Sequence, residues 1–582
     1  MKTKYIILAF ICLFSSVSCN DLFDDFSKST LPEDKIWTDP QLLDEYVLPW
    51  YRNMSHGFSV YMPTSIFLRG LGREYMPWYG DQLTVSKSDW YSTAYGEILK
   101  SSPKEIQRRG GNLWQKYYEQ IRSINNLLEH EGSISSGQQK NRVLGEAHFF
   151  RAYYHYLLLR QFGGVIIAKE VYDPLKGVKK FPRASYDEMV QFITDEATLA
   201  NEYLSEFKYP NNSRYVTPGA ALMLKAKAYL WVAGDHFQNT EKEYLGFATN
   251  KSAEMIQHAK EAYDELMKLD YQLLEVSGAN QDAIAKSYRQ IFLTKNSKES
   301  IFEVQHSDDG NFDVGFGHKL DAEAVTSYEG GTTAAYTPTQ NHVDEYGMQQ
   351  GKTFDAQNPY ANRDFRFYAN VLYDGCMFRG HIMEIHYSIE DGKEVAGADL
   401  RPSGTAKTAA VTQTGYYLGK FVNEKQAIDN HPSKGSNQNF IIWRFAEVLL
   451  DYAEIDFKQG RPNDALKKIN KIRARAHMHD LESITWEAIM NERRVELAFE
   501  ESTYWDLLRY NIAEEKMNGS TNPLKVMKVI KEEGKPTVYQ ISNMNKKPEN
   551  VRTFMSKQYY YPIHWDEIRY QEFDQNPEWE EL

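Results

Sequence analysis

Glu492, Glu496 and Glu500 stand four residues apart in the stretch NERRVELAFEES. On a helix that spacing puts three carboxylates on one face, and a pair of carboxylates is what glycoside hydrolysis requires. Arg493, Arg494 and Arg509 lie nearby in sequence, and Arg444 and Arg473 fall on the preceding helical stretches. Glutamates at this spacing repel one another unless neutralised, and buried charges require partners. The pattern therefore reads first as an Arg–Glu network that locks the C-terminal helices together, with hydrolysis as the competing chemistry.

Aromatic residues make the second concentration. YMPWYGDQLTVSKSDWY gathers Tyr75, Trp78, Tyr79, Trp90 and Tyr91 around Asp81, Gln82 and Asp89, without helical periodicity. Flat rings stack on the apolar C–H faces of sugars, while carboxylates and amides take the hydroxyls. Trp78, Tyr79, Asp81, Trp90 and Tyr91 are accordingly expected to bind glycan. A Gly-rich stretch from Asp308 to Asn341 adds Phe312, Phe316, Tyr328 and Tyr336, of which Phe312, Tyr328 and Tyr336 join the expected site. The competing expectation is that such rings only pin long loops to the body of the fold.

Other chemistries have little footing. His148 and His155 lie seven apart, with no HExxH motif and no cysteine pair. DDGNFD, from Asp308 to Asp313, offers oxygen ligands but lacks the downstream Glu of a calcium loop, and reads as a solvated turn. No Gly-rich phosphate loop or Gly-x-Ser-x-Gly elbow occurs, so no catalytic residue, metal site or cofactor is assigned.

The N-terminus carries a different signal. Lys2 and Lys4 precede a short apolar core from Tyr5 to Phe14, small residues and then Cys19. This is the layout of a secretory signal peptide whose core is too short to span a bilayer. Its Ser-Val-Ser-Cys ending looks like a bacterial lipobox, which predicts cleavage after residue 18 and acylation of Cys19. Several acyl chains hold a protein firmly, at roughly 0.8 kcal/mol per buried methylene. Asn20, Asp21, Asp24 and Asp25 then begin a polar tether through residue 40. Of three cysteines only Cys376 is left over, so the fold must rest on packing rather than disulfides. The net charge of 67 − 80 = −13, with no basic tract, argues against a nucleic-acid partner.

The elements that must position these residues are mostly amphipathic helices. Leu113, Tyr117, Ile121, Ile124 and Leu128 share one helical face, and RVLGEAHFFRAYYHYLLLRQF continues to a stop at Gly163-Gly164. Thr217 and Pro218 open a helix that ends at Gly234, and Gly460-Arg461-Pro462 breaks the run from Phe440 into two. Small residues such as Ala226, Ala228, Ala453 and Ala465 sit where paired helices would touch, suggesting tetratricopeptide-type stacking. Residues 60–110 and 305–440 break the rhythm, and 518–556 contains β-prone PTVYQI, a candidate hairpin. No linker divides the chain into separate globular domains.

Seven blocks, in order, resemble those of SusD/RagB-type outer-membrane nutrient-binding lipoproteins: GEAHFFRAYYHYLLLRQFGGVII, FPRASYDEMVQFITDE, GAALMLKAKAYLWVAG, WRFAEVLLDYAEI, NKIRARA, NERRVELAFEESTYWDLLRY and YYYPIHWDEI. The likeness runs over essentially the whole mature chain, with Pro-Ile-His where Pro-Ile-Pro is more usual and individual stretches at 390–415 and 518–550. It implies an all-α dominated fold of four tetratricopeptide-like helix pairs, with irregular loops and minor β hairpins, as a single domain over residues 41–582. It also implies a cell-surface lipoprotein that captures oligosaccharides and passes them to a SusC-like TonB-dependent outer-membrane transporter, without bond chemistry. An (α/α) glycosidase using the three glutamates, or a scaffold that binds only protein, are the readings it competes with.

Overall fold

A computed structural model describes residues 33–54, 58, 80–84, 113–173, 175, 179–207, 214–308, 317–332, 334–402, 411–428, 435–544 and 551–579. Helices dominate it. Helix α1 (Pro40–Arg52) packs on α3, and the main stack runs through α2 (Leu113–Glu129), α3 (Gln138–Phe162), α4 (Tyr186–Ser205), α5 (Pro218–Val232) and α6 (Ser252–Leu266). After α7 (Gln281–Leu293) and a long irregular section come α8 (Phe445–Lys458), α9 (Pro462–Arg475), α10 (Trp486–Glu496) and α11 (Ser502–Arg509). Helices α2/α3, α4/α5 and α8/α9 are consecutive pairs. Helix α6 packs on α5 and reaches α8 across the intervening residues 267–444, so that junction is assembled from distant parts of the chain.

Local chemistry fixes the boundaries. Ser185 and Glu188 form a reciprocal capping box at the start of α4, and Thr217 Oγ1 accepts from the Ala220 N–H beside Pro218 at the start of α5. Gly163 closes α3 at φ 76°, a conformation that favours glycine, and a Cβ on Gly164 would lie 1.9 Å from the Ala184 carbonyl. Ala226, Ala228, Ala453 and Ala465 are fully buried at helix contacts, as their small size suggests.

Most of the aromatic content is core. Tyr117, Tyr154, Tyr186, Tyr263 and Tyr288 are among the largest fully buried side chains, and the Tyr154 hydroxyl donates to the Trp50 carbonyl at 2.7 Å. Burying the ring contributes the larger share, and a hydrogen bond of this kind offsets the cost of burying the hydroxyl.

Strands are short. β1 (Ser300–Val304) pairs antiparallel with β4 (Phe440–Arg444), which runs directly into α8. The expected C-terminal hairpin is present as β5 (Lys525–Lys531) and β6 (Val538–Asn543), with Val529 opposite Tyr539. It joins a second hairpin, β2 (Tyr387–Glu390) and β3 (Lys393–Ala396), through a parallel β5–β2 contact that makes a four-stranded sheet.

Candidate functional site

The glutamate pattern resolves into ion pairs. Glu492 and Glu496 lie on α10 and Glu500 follows just past its end. Arg366 donates to Glu492 at 2.5 Å, to Glu496 at 3.0 Å and to Asp364 at 2.7 Å. Arg444, at the β4–α8 junction, reaches Glu299, Glu496 and Glu500 at 2.8, 2.7 and 2.7 Å. Arg475 pairs with Glu299 and Glu496, Lys420 with Glu500 at 2.6 Å, and Arg473 with Glu492 at 3.2 Å. Burial alone would raise the Glu496 carboxyl, but Arg475, Arg444 and Arg366 hold it well below the ordinary range. The spacing signal thus marked a fold-locking network. Its members Arg366, Lys420 and Glu299 come from distant segments and carried no local signal, while Arg475 stands on α9 two residues from the expected Arg473.

Of the expected glycan residues, Trp78, Tyr79, Trp90, Tyr91 and Phe312 lie outside the described residues, as does Cys19. Asp81 is described, and its role is corrected. It is buried, with Oδ1 2.5 Å from Arg494 Nη2 and Oδ2 accepting from Asn522 at 3.1 Å, so it anchors the chain and offers no free carboxylate to a hydroxyl. Burial opposes ionisation there, yet Arg494, Arg552 and the hydrogen bonds bring the carboxyl down to about 2. Gln82 donates to the Arg494 carbonyl at 3.1 Å and accepts from Thr503, and Leu83 and Thr84 pair with Pro338 and Thr337. The stem of one aromatic stretch is thereby strapped to the other.

This clamp gives a testable expectation. Asp81→Asn should destabilise the fold by about 1–3 kcal/mol, because among the described residues Arg494 then keeps only Glu345 as a charged partner. Hydrogen exchange in peptides covering 80–84 should accelerate more than in α3. A carboxyl with a lowered folded pKa stabilises above its unfolded pKa. The Asp81 contribution should therefore be lost as pH falls from about 4 to about 2.

Tyr328 and Tyr336 part company. Tyr336 is 2% exposed, and a ring so enclosed presents no face to a sugar, so its expected stacking role is replaced by packing beneath the loop. Tyr328 is 56% exposed, and one face of its ring lies on His381 at 4.5 Å and 26°. His381 is held in turn by Asp399 at 2.8 Å, whose same oxygen accepts the Glu384 N–H. Beside the platform, Arg379 Nε donates to Glu329 at 3.0 Å and its Nη1 to the Gln426 carbonyl at 2.8 Å. The loop folds back tightly here, since a Cβ on Gly331 would lie 2.2 Å from the Val325 carbonyl. The result is a fixed ring with an open face and a charged rim. His381, Arg379, Glu329 and Asp399 were missed. The Arg379-Gly380 turn, with φ of 49° and 81°, was the only local sign of the hairpin that brings them in.

In the acidic turn, Asp308 pairs with Lys295 at 2.7 Å, and Asp309 to Asp313 lie outside the described residues. Among the described residues no group of three or more His, Cys, Asp or Glu is placed to hold a metal ion.

Two family models match the chain. One, described as the SusD family, covers residues 298–579, and one, described as "Starch-binding associating with outer membrane", covers 73–237. A SusD-like protein of Bacteroides ovatus is 22% identical over 537 residues, spanning 88% of this chain and 83% of its own length. The crystal structure of a SusD-like protein from Bacteroides fragilis superposes with a TM-score of 0.71 at 23% identity, covering 94% of this chain and 98% of the other. Surface glycan-binding protein A from Bacteroides fluxus gives 0.59 at 19% identity, over 92% and 98%.

Proposed function

Because the chain belongs to the SusD family, we propose that it is a cell-surface lipoprotein that captures oligosaccharides and delivers them to a SusC-like TonB-dependent transporter. The observation that carries this reading is the Tyr328 platform, an open aromatic face preorganised by His381 on a loop strapped to the 80–84 stem. Stacking of this kind holds a sugar without attacking it. The carboxylates that could have done bond chemistry are committed to arginines, which supports capture rather than hydrolysis. The names of the Bacteroides fluxus protein and of the starch-binding family model point to the same ligand class.

In this reading residues 1–18 are a signal peptide, 19–40 the lipid anchor and tether, and 41–582 the binding domain. No helix among the described residues is long and apolar enough to cross a membrane; the proposed attachment is through Cys19, on the lipobox-like ending before it. Trp78, Tyr79, Trp90, Tyr91 and Phe312, which lie outside the described residues, are proposed as further glycan contacts. Cys19→Ala should move the protein from the membrane fraction to the soluble or uncleaved pool. Affinity purification of the native protein should recover a β-barrel transporter. A Cys19→Ala protein that remains acylated and membrane-bound, or a native preparation without such a barrel, would count against the assignment.

A further inference from the structure

A second surface has the chemistry of a sugar site and shares no residue with the Tyr328 platform. Between α2, residues 166–172 and 179–181, and the short Trp565–Gln571 helix runs an open groove of about 940 Å³. That volume is within the usual range of ligand sites, roughly 300–1,000 Å³. Its walls are built. The Tyr118 hydroxyl donates to the Ile166 carbonyl at 2.7 Å, fixing the ring on α2. Phe181 meets Tyr172 edge-on at 5.8 Å and 89°, and the Phe181 N–H donates to Gln571 at 2.9 Å, tying one wall to the other. Arg122 donates to the Tyr172 carbonyl at 2.7 Å. The Lys179 ammonium lies over the Phe181 ring, 4.8 Å from its centroid, and brings the charged rim to that wall.

Glu567 is the feature the fold does not explain. It is half-buried on the groove wall and makes no ion pair or hydrogen bond among the described residues, while Asp566 stands next to it. Burial is the main cause pushing its carboxyl up, His564 beside it acts against that rise, and Asp566 adds to it. An unpaired carboxyl in such a place has a partner to gain from a ligand.

Charge decides the class of that ligand. Four carboxylates line the groove (Glu119, Glu170, Asp566 and Glu567) against three permanent cations (Arg122, Lys169 and Lys179), with Lys179 already paired to Glu170 at 2.9 Å. A nearly balanced rim gives little field to hold a strongly charged ligand. It does supply donors and acceptors at close quarters, which suits hydroxyls that are both. Ring faces with a mixed polar rim match a chain of uncharged sugars.

We propose that this groove is a second saccharide subsite, with Tyr118 and Phe181 taking sugar faces and Glu567 accepting from a hydroxyl. It rests on the glycan-capture reading, and its test keeps the two sites apart. The full-length protein would be exposed to maltohexaose, cellohexaose, laminarihexaose and mannohexaose while hydrogen exchange is followed by mass spectrometry. At least one hexaose should protect peptides covering 166–173 and 565–571, and that protection should persist in Tyr328→Ala. In the Phe181→Ala/Glu567→Gln double variant the concentration for half-protection of the groove should rise roughly tenfold or more, while protection of 317–332 stays. Protection confined to 317–332 and 376–383, or groove protection untouched by the double variant, would overturn the subsite and leave capture at Tyr328 standing. Protection at neither place would overturn both.

Discussion

Glu496→Gln should lower the unfolding free energy by about 3–5 kcal/mol, the range for removing one partner of a buried ion pair. Three arginines converge on that carboxylate from the 365–370 helix, the β4–α8 junction and α9, so its charge is shared among elements far apart in sequence. Glutamine keeps the shape and some hydrogen bonds but leaves a surplus of buried positive charge. Glu487→Gln, exposed in the first turn of the same helix, should shift stability by no more than about 0.5 kcal/mol. The comparison is read from denaturant midpoints at neutral pH. Linkage gives a second readout. The Glu496 carboxyl is held well below its ordinary value, so its contribution is complete above the unfolded pKa and fades as the solution is acidified below it. Buried Glu303 and Asp321 are shifted upward by burial and act in the opposite sense. The wild type should therefore lose more stability than Glu496→Gln between pH about 5 and about 3, and this difference isolates the one group. Equal acid sensitivity in the two proteins would remove Glu496 from the centre of the network.

That network shows what the sequence discloses and where it stops. The i, i+4 spacing exposes the glutamates because helix geometry is local. The identity of the cations is a matter of packing: Arg366 and Lys420 come from the irregular section, where no periodicity announces them. Helix boundaries were legible for the same local reason. Thr217, Gly163 and Gly460 act on their own turn of backbone and need no distant partner. The 525–543 hairpin was readable from its β-prone residues. Its partner at 387–396 turns at Asp391-Gly392, both at positive φ, and neither that hairpin nor the parallel contact that joins the two was read from the sequence. For the binding loops, composition marked the regions while burial sorted the residues. Asp81 went to a clamp, Tyr336 to the core and Tyr328 to the surface, and those three fates depend on where the loops cross, through the Leu83–Thr84 pairing with Thr337–Pro338.

If Tyr328 is the platform, its loss should be the larger effect on ligand affinity among single changes in its loop. A stacked aromatic contributes on the order of 1–2 kcal/mol, so Tyr328→Ala should weaken binding of a recognised oligosaccharide roughly tenfold. Tyr328→Phe keeps the ring and its contact with His381, and should stay within about twofold unless the hydroxyl itself bonds the sugar. His381→Ala removes the support rather than the face. Its cost should fall between the two, because the ring is then free to leave its stacking orientation and must be ordered at about 0.5–1.5 kcal/mol on binding. Calorimetry on the three variants, each checked by circular dichroism, gives a ranking that simple unfolding cannot imitate, since Tyr328 is exposed and its removal opens no cavity. The Trp78→Ala/Trp90→Ala double variant sets the other end of the scale, and should abolish detectable binding if both rings extend the same platform. Unchanged affinity in Tyr328→Ala together with loss in the tryptophan variant would shift the site away from the His381 hairpin and onto the stretch held by the Asp81–Arg494 clamp. In that case Asp81→Asn, which loosens the clamp without touching a ring, should weaken binding as well.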